Sequence, residues 1–219
     1  MKQAFINSIC HEIRTPLNSI VGFSDLIMNE DIDEEMRREF PAEIQKSTLL
    51  LTGLVNSMLE VANLDVSEDK LPCGPTDIRN ICIQEMEKIS PKPRIKYQLD
   101  ITEDTLFIPT NAQYLTMVIE HLLNNANKFT EEGFIALGYK VNLSKNQICI
   151  SVTDSGCGIP KEKQEEVFNR FSKLDTFVPG NGLGLYLCRL IVKRLDGEIK
   201  IDPEYTDGTR VVVNLPMNE

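Results

Sequence analysis

Apolar side chains recur in steps of three and four along two stretches near the start of the chain. This spacing constrains the fold more than any other feature. Ile6, Ile9, Ile13, Leu17 and Ile20 form one line, and Ile27 extends it. Ile44, Thr48, Leu51, Val55, Met58 and Ala62 form a second, thickened by Leu50, Leu54 and Val61. Such steps put side chains on one face of a helix. Between the lines lies the polar, acidic NEDIDEEM, which predicts a short connection and an antiparallel helical hairpin. One hairpin cannot bury both of its stripes. Two copies pairing into a four-helix bundle can, so a homodimer through the hairpin is expected.

NLDVSEDKLPCGPTD then breaks the helical pattern. It predicts a boundary near residues 66–73, with the hairpin over 1–68 and a second domain over 72–219. Strands are expected over 94–100, 134–141, 147–153, 198–201 and 209–215. Helices are expected over 76–88, 113–129, 161–168 and 185–195. Strands interleaved with helices predict an α/β sandwich of one sheet and one helical layer. The fold class is therefore α plus α/β.

Composition removes several function classes. A net charge of -10 opposes binding to a phosphate backbone, so no nucleic-acid partner is expected. Six cysteines form no CxxC pair and there are two histidines, which leaves no zinc pattern and suggests reduced thiols. No apolar run reaches the roughly 18 residues of a membrane helix. The first residues meet charges and a proline too early for a signal peptide. A cytoplasmic chain is expected, tied to a membrane only through segments upstream, if any.

One histidine sits in SICHEIRTPLN. His11 falls roughly 160° from the Ile6–Ile20 stripe, so it points to solvent. Thr15 and Asn18 share its face. An imidazole that attacks phosphorus needs one nitrogen unprotonated and the other N–H held by an acceptor. Glu12 is an acceptor at hand, or a base for the released proton. Thr15, one turn on, could position a water, and Pro16 is expected to kink the helix. The plain alternative is a solvated histidine and glutamate beside a packing bend.

The second domain carries four further stretches. LLNNANKFT places Asn125 and Lys128 on one helical face, an amide oxygen for Mg²⁺ and a cation for phosphate. VTDSGCGIP ends a strand with Asp154, able to accept from an exocyclic amine. Gly156 and Gly158 follow, where backbone can approach a ligand. FVPGNGLGLYLCRLIV runs Gly180, Gly182 and Gly184 into a helix, an anion site at its start with a mobile lid before it. EEVFNRFSK supplies Phe168 and Phe171 as packing under that lid, with Arg170 facing elsewhere. DGTRVVV adds a turn before the last strand. Each alone is also what an ordinary polar helix face, tight turn or glycine loop looks like.

In this order, over about residues 3–217, the five segments resemble the histidine kinases of two-component signalling. SICHEIRTPLN resembles the H box, LLNNANKFT the N box, DSGCGI the first glycine box, FNRF the F box and GNGLGL the second glycine box. The resemblance implies a dimerisation and histidine-phosphotransfer hairpin, then a Bergerat-type ATP-binding sandwich. It implies His11 as phosphoacceptor, Glu12 as the acid/base residue, and Thr15 at the position linked to dephosphorylation of the partner. Asn125 matches the Mg²⁺ ligand, Lys128 the phosphate contact and Asp154 the adenine-reading carboxylate, flanked by Gly156 and Gly158. Gly182 and Gly184 match the lid-end glycines near the phosphates, with Leu183 between them in the same cofactor-binding set. The cofactors implied are ATP and Mg²⁺. The implied partner is a response-regulator receiver domain, whose aspartate takes the phosphoryl group.

One position departs from that pattern. The N box usually carries asparagine four residues before the Mg²⁺ asparagine, and here His121 stands there. Imidazole is a poorer ligand than oxygen for a hard cation. A slowed but competent kinase is expected. Two other readings stay open at this level: a degenerate ATP-binding dimeric scaffold, and an ATPase that would need Glu120 as its base.

Overall fold

A computed structural model of the chain describes residues 2–28, 33–66, 71–102, 104–174 and 182–217. The side chains of residues 2–8 and of Val66 lie outside that description, as do Pro179 and Gly180 and part of the expected domain boundary.

Two helices open the chain, α1 over Lys2–Ile27 and α2 over Glu34–Val66, and they pack on each other. Helix α1 continues through Pro16. Proline there removes the amide that would bond the Glu12 carbonyl. One residue earlier, the Thr15 hydroxyl donates to the His11 carbonyl at 3.2 Å. In α2 the inward line is Phe40, Ser47, Leu54, Ser57, Val61 and Leu64, all buried. The stripe through Leu51, Val55 and Met58 lies roughly 80° round the helix from that line. It stays partly open, with Val55 42% exposed. The stripe read from the sequence is thus covered along one flank, through Leu54 and Val61, and the end of that flank, Val61 and Leu64, joins the core of the second domain.

Beyond the hairpin come β1 (Gly74–Asp77), α3 (Ile78–Lys88), β2 (Ile95–Asp100), β3 (Phe107–Thr110), α4 (Ala112–Phe129), β4 (Gly133–Asn142), β5 (Gln147–Asp154), α5 (Gly184–Arg194), β6 (Glu198–Ile201) and β7 (Thr209–Pro216). The main sheet runs β2-β4-β5-β7-β6, parallel between β2 and β4 and antiparallel elsewhere. Period-two alternation points Val211, Val213 and Leu215 of β7 inward. They meet Leu115, Ile119 and Leu122 of α4 and Leu187 and Ile191 of α5 in one core. The α plus α/β class expected from the sequence is the one observed.

Helices start where caps allow. The Asp77 carboxylate accepts from the Asn80 amide at 3.1 Å, and Asn111 does the same for Tyr114 at 3.1 Å. Lys92 reaches the last turn of α4, its ammonium donating to the carbonyls of Asn127 and Thr130. It thereby satisfies acceptors that the helix end leaves open.

Two expectations need correction. The helix expected over 161–168 is instead two single 3₁₀ turns, Lys161–Lys163 and Glu166–Phe168. Only Val167 and Phe168 there are buried, too little apolar surface to hold a continuous helix. The helix expected from residue 76 begins at Ile78. Thr76 belongs to β1, which pairs antiparallel with β3 in a separate two-stranded sheet. Each of these strands has four residues and one proline, too short for alternation to register.

Candidate active site

The end of β5, the second half of α4 and the start of α5 converge. Asp154, the last residue of β5, is 7% exposed. One of its carboxylate oxygens, Oδ1, accepts from the backbone amides of Gly156 at 2.9 Å and Thr209 at 3.2 Å. Among the described residues no hydrogen bond reaches the other oxygen. Burial pushes the carboxyl above its ordinary range, and the two amide bonds pull it partly back. Thr209 stands directly across the β5–β7 ladder from Asp154. The sequence reading saw the DGT turn but not this partnership, which only the register discloses.

The glycines are where backbone crowds. A Cβ on Gly156 would lie 2.4 Å from the Phe129 carbonyl oxygen. Gly182 has φ +63°, and its Cβ would meet the backbone of Phe171 at 2.7 Å. Leu183, 1% exposed, anchors the start of α5 in the interior. Gly158 also has positive φ, at +70°. Gly184 opens α5, and a Cβ there would lie 3.7 Å from Nδ1 of His121. His121 therefore borders the helix start, one turn from Asn125. Burial lowers its pKa and the nearby Glu120 raises it, with burial the larger effect. The imidazole is neutral at pH 7.

Asn125 is half-buried, and its amide is engaged by no other described residue. An uncommitted amide oxygen suits a hard cation such as Mg²⁺. Lys128 lies with its ammonium 4.6 Å from the centre of the Phe129 ring. Its pKa is lowered, first by burial and then by the charge of Lys173.

On α1, His11 is 76% exposed at its side chain, and its Nδ1 lies 3.8 Å from Oε1 of Glu12. Thr15 is exposed one turn on. The other Glu12 oxygen, Oε2, accepts from Lys173 at 2.6 Å. The hairpin and the second domain also meet where Arg170 pairs with Asp65 and where Arg194 donates to the Leu64 carbonyl at 3.2 Å. Arg170, expected to face elsewhere, stacks on Tyr186 at 4.7 Å while holding Asp65. No sequence pattern announces Lys173, Asp65 or Arg170 as partners across the chain. Only docking of the second domain on α1 and α2 brings them together.

A phosphoacceptor-type hairpin joined to a nucleotide-type sandwich defines a class. Residues 1–66 match the His Kinase A (phospho-acceptor) domain. Residues 110–219 match the histidine kinase-, DNA gyrase B-, and HSP90-like ATPase family. The chain belongs to the histidine kinases of two-component signalling and comprises their catalytic core. It is 29% identical to the sensor protein EvgS of Escherichia coli O157:H7, over 99% of this chain and 19% of that protein. It is 30% identical to the sensor-like histidine kinase ycf26 of Pyropia yezoensis, over 95% of this chain and 35% of that one. The chain thus spans a minority of the length of these relatives. Among solved structures, full-length ShkA in complex with AMPPNP superposes with TM-score 0.72 at 27% identity, over 99% of this chain and 46% of that one. The histidine kinase ThkA, solved with the response regulator TrrA, shares the fold with TM-score 0.75 at 21% identity, over 98% of this chain and 61% of that one.

Proposed function

We propose that this chain is an ATP-dependent autokinase that phosphorylates His11 and passes the phosphoryl group to an aspartate of a receiver domain. The observation that carries the reading is the contact of Lys173, neighbour of Lys128, with Glu12 beside the exposed His11. It sets nucleotide-side and acceptor-side groups against one another.

Oε1 of Glu12 lies 3.8 Å from Nδ1 of His11, and a small side-chain rotation that brings it into hydrogen-bond reach would hold the proton on Nδ1 and leave the lone pair on Nε2. Nε2 attacks the γ-phosphorus, the bond from that phosphorus to the β,γ-bridging oxygen breaks, and ADP departs. The Nδ1 proton passes to Glu12 as positive charge develops on the ring. Asp154 and Thr209 would hold the adenine edge, Gly156 and Gly158 would admit the base, and Gly182, Leu183 and Gly184 would line the phosphates. Lys128 neutralises phosphate charge. Asn125 would hold Mg²⁺, which would supply further neutralisation of the phosphate charge. Relatives solved with AMPPNP and with a response regulator support the choice of nucleotide and partner.

The receiver docks on the hairpin face carrying His11, where its aspartate takes the phosphoryl group. Thr15 would also orient a water to hydrolyse the receiver's aspartyl phosphate, releasing inorganic phosphate and the free aspartate. The active unit is a homodimer through the hairpin, consistent with the open apolar stripe of α2. No helix of the described residues is long and apolar enough to cross a membrane. ATP and receiver domains are cytoplasmic components, which supports a cytoplasmic setting.

The test is incubation with Mg²⁺ and γ-labelled ATP. Acid-labile, alkali-stable label is expected on the natural chain and not on His11→Gln. Label retained on His11→Gln would mean a different acceptor.

A further inference from the structure

Lys173 lies just past the motif that contains Phe171, in a stretch whose backbone at Phe171 and Ser172 lies against Gly182. Phe171 has φ +59°, and Gly182 has no room for a Cβ against it. From this stretch the Lys173 ammonium crosses to α1 and donates to Oε2 of Glu12 at 2.6 Å, 161 residues away in sequence. Both side chains are only 21% exposed, unlike the solvated pairs that contribute little.

The two oxygens of Glu12 are thereby divided. Oε2 takes Lys173 while Oε1 faces Nδ1 of His11. A glutamate alone on a helix surface samples several rotamers, and confining it costs side-chain entropy. A charge-assisted bond from Lys173 offsets that cost and selects one rotamer. The charge balance agrees. Lys173 repels Lys128, so an anion is needed where the two cations approach, and Glu12 supplies it.

We infer that Lys173 is a positioning residue for phosphorylation of His11. It holds Glu12 in the orientation that accepts the Nδ1 proton. Because Lys173 belongs to the nucleotide-binding domain and Glu12 to the hairpin, the base is oriented only while that domain is docked beside His11. The inference rests on the autokinase reading.

The experiment is single-turnover labelling with γ-labelled ATP across ATP concentrations. The proteins are the natural chain, Lys173→Met, Lys173→Arg, Glu12→Gln and the double variant Lys173→Met/Glu12→Gln. Affinity for a non-hydrolysable ATP analogue is measured in parallel. Lys173→Met is expected to slow the saturated rate about tenfold or more, a fraction of what acid–base residues contribute. Analogue affinity should stay within about threefold, since the ammonium acts on Glu12. Lys173→Arg should return most of the rate. In the Glu12→Gln background, Lys173→Met should cost less than about twofold, because coupled partners are non-additive. Equal losses in both backgrounds, or loss of analogue affinity, would overturn the inference by assigning Lys173 to the nucleotide. An unchanged or faster Lys173→Met overturns it as well, the faster case marking the contact as a restraint. A natural chain that takes no label removes the autokinase reading and this inference with it. A labelled natural chain with an indifferent Lys173→Met removes the inference alone.

Discussion

Asp154 carries a charge into a pocket that burial makes unfavourable, and two backbone amides only partly compensate. Its folded-state pKa lies above the ordinary 3.8, so its stabilising contribution is complete below that value and is lost as pH rises through the raised one. At neutral pH the nucleotide-free protein bears the full cost. Asp154→Asn keeps an Oδ1 for the amides of Gly156 and Thr209 and removes the charge. Melting curves should therefore show Asp154→Asn more stable than the natural chain at pH 7, by about 1 kcal/mol. That advantage should shrink as pH falls toward 4. The same change presents an amide donor to a ligand donor, so affinity for an ATP analogue, followed by calorimetry, should drop about tenfold or more. His121 is the other residue whose chemistry decides something. Its neutral imidazole borders the start of α5, where the family pattern carries an amide. His121→Asn is expected to raise the saturated autophosphorylation rate about threefold or more, since an oxygen ligand suits Mg²⁺ better. An unchanged rate would make the departure neutral. Both residues were legible in the sequence, Asp154 at a strand end and His121 by its place relative to Asn125. The Thr209 partner of Asp154 was not, because it depends on cross-strand register.

Elements meet at the site through backbone more than through side chains. The turn after β5 passes so close to the end of α4 that a Cβ at 156 would lie 2.4 Å from the Phe129 carbonyl oxygen. That atom cannot swing away as a side chain would, because Lys92 already ties the neighbouring carbonyls at the end of α4. Gly156→Ala should therefore part β5 from α4. The expected loss is about 1–3 kcal/mol, the cost of overpacking, seen as a lower melting temperature together with weaker analogue binding. Helix α4 and the strands β4, β5 and β7 were readable from periodicity, since each is long enough to repeat its pattern several times. β1 and β3 were not, and residues 161–168 misled. Alternating charges there have the composition of a helix, yet the segment buries only Val167 and Phe168 and folds as two short turns.

At the scale of the whole molecule, the hairpin leaves apolar surface open. Leu17 and Val21 on α1 and Val55 and Leu59 on α2 are 45%, 51%, 42% and 58% exposed. A second hairpin would cover such surface, so light scattering should give twice the chain mass. Val55→Glu together with Leu59→Glu should halve it, while the nucleotide-binding domain still takes up an ATP analogue. A dimeric double variant would place the contact elsewhere. The sequence by itself determined the two helical stripes, the α/β class of the second domain and the order of the five motifs, because periodicity and short motifs are local and survive without any knowledge of packing. It also determined that His11 faces outward, from the helical wheel alone. Only the tertiary structure decided which flank of the α2 stripe is covered, since the flanks of an apolar stripe are equivalent until a partner is present. It alone paired Thr209 with Asp154, Arg170 with Asp65 and Lys173 with Glu12. Those contacts join residues 55, 105 and 161 positions apart, and attraction across such separations is set by how the domains dock, a property no local pattern encodes.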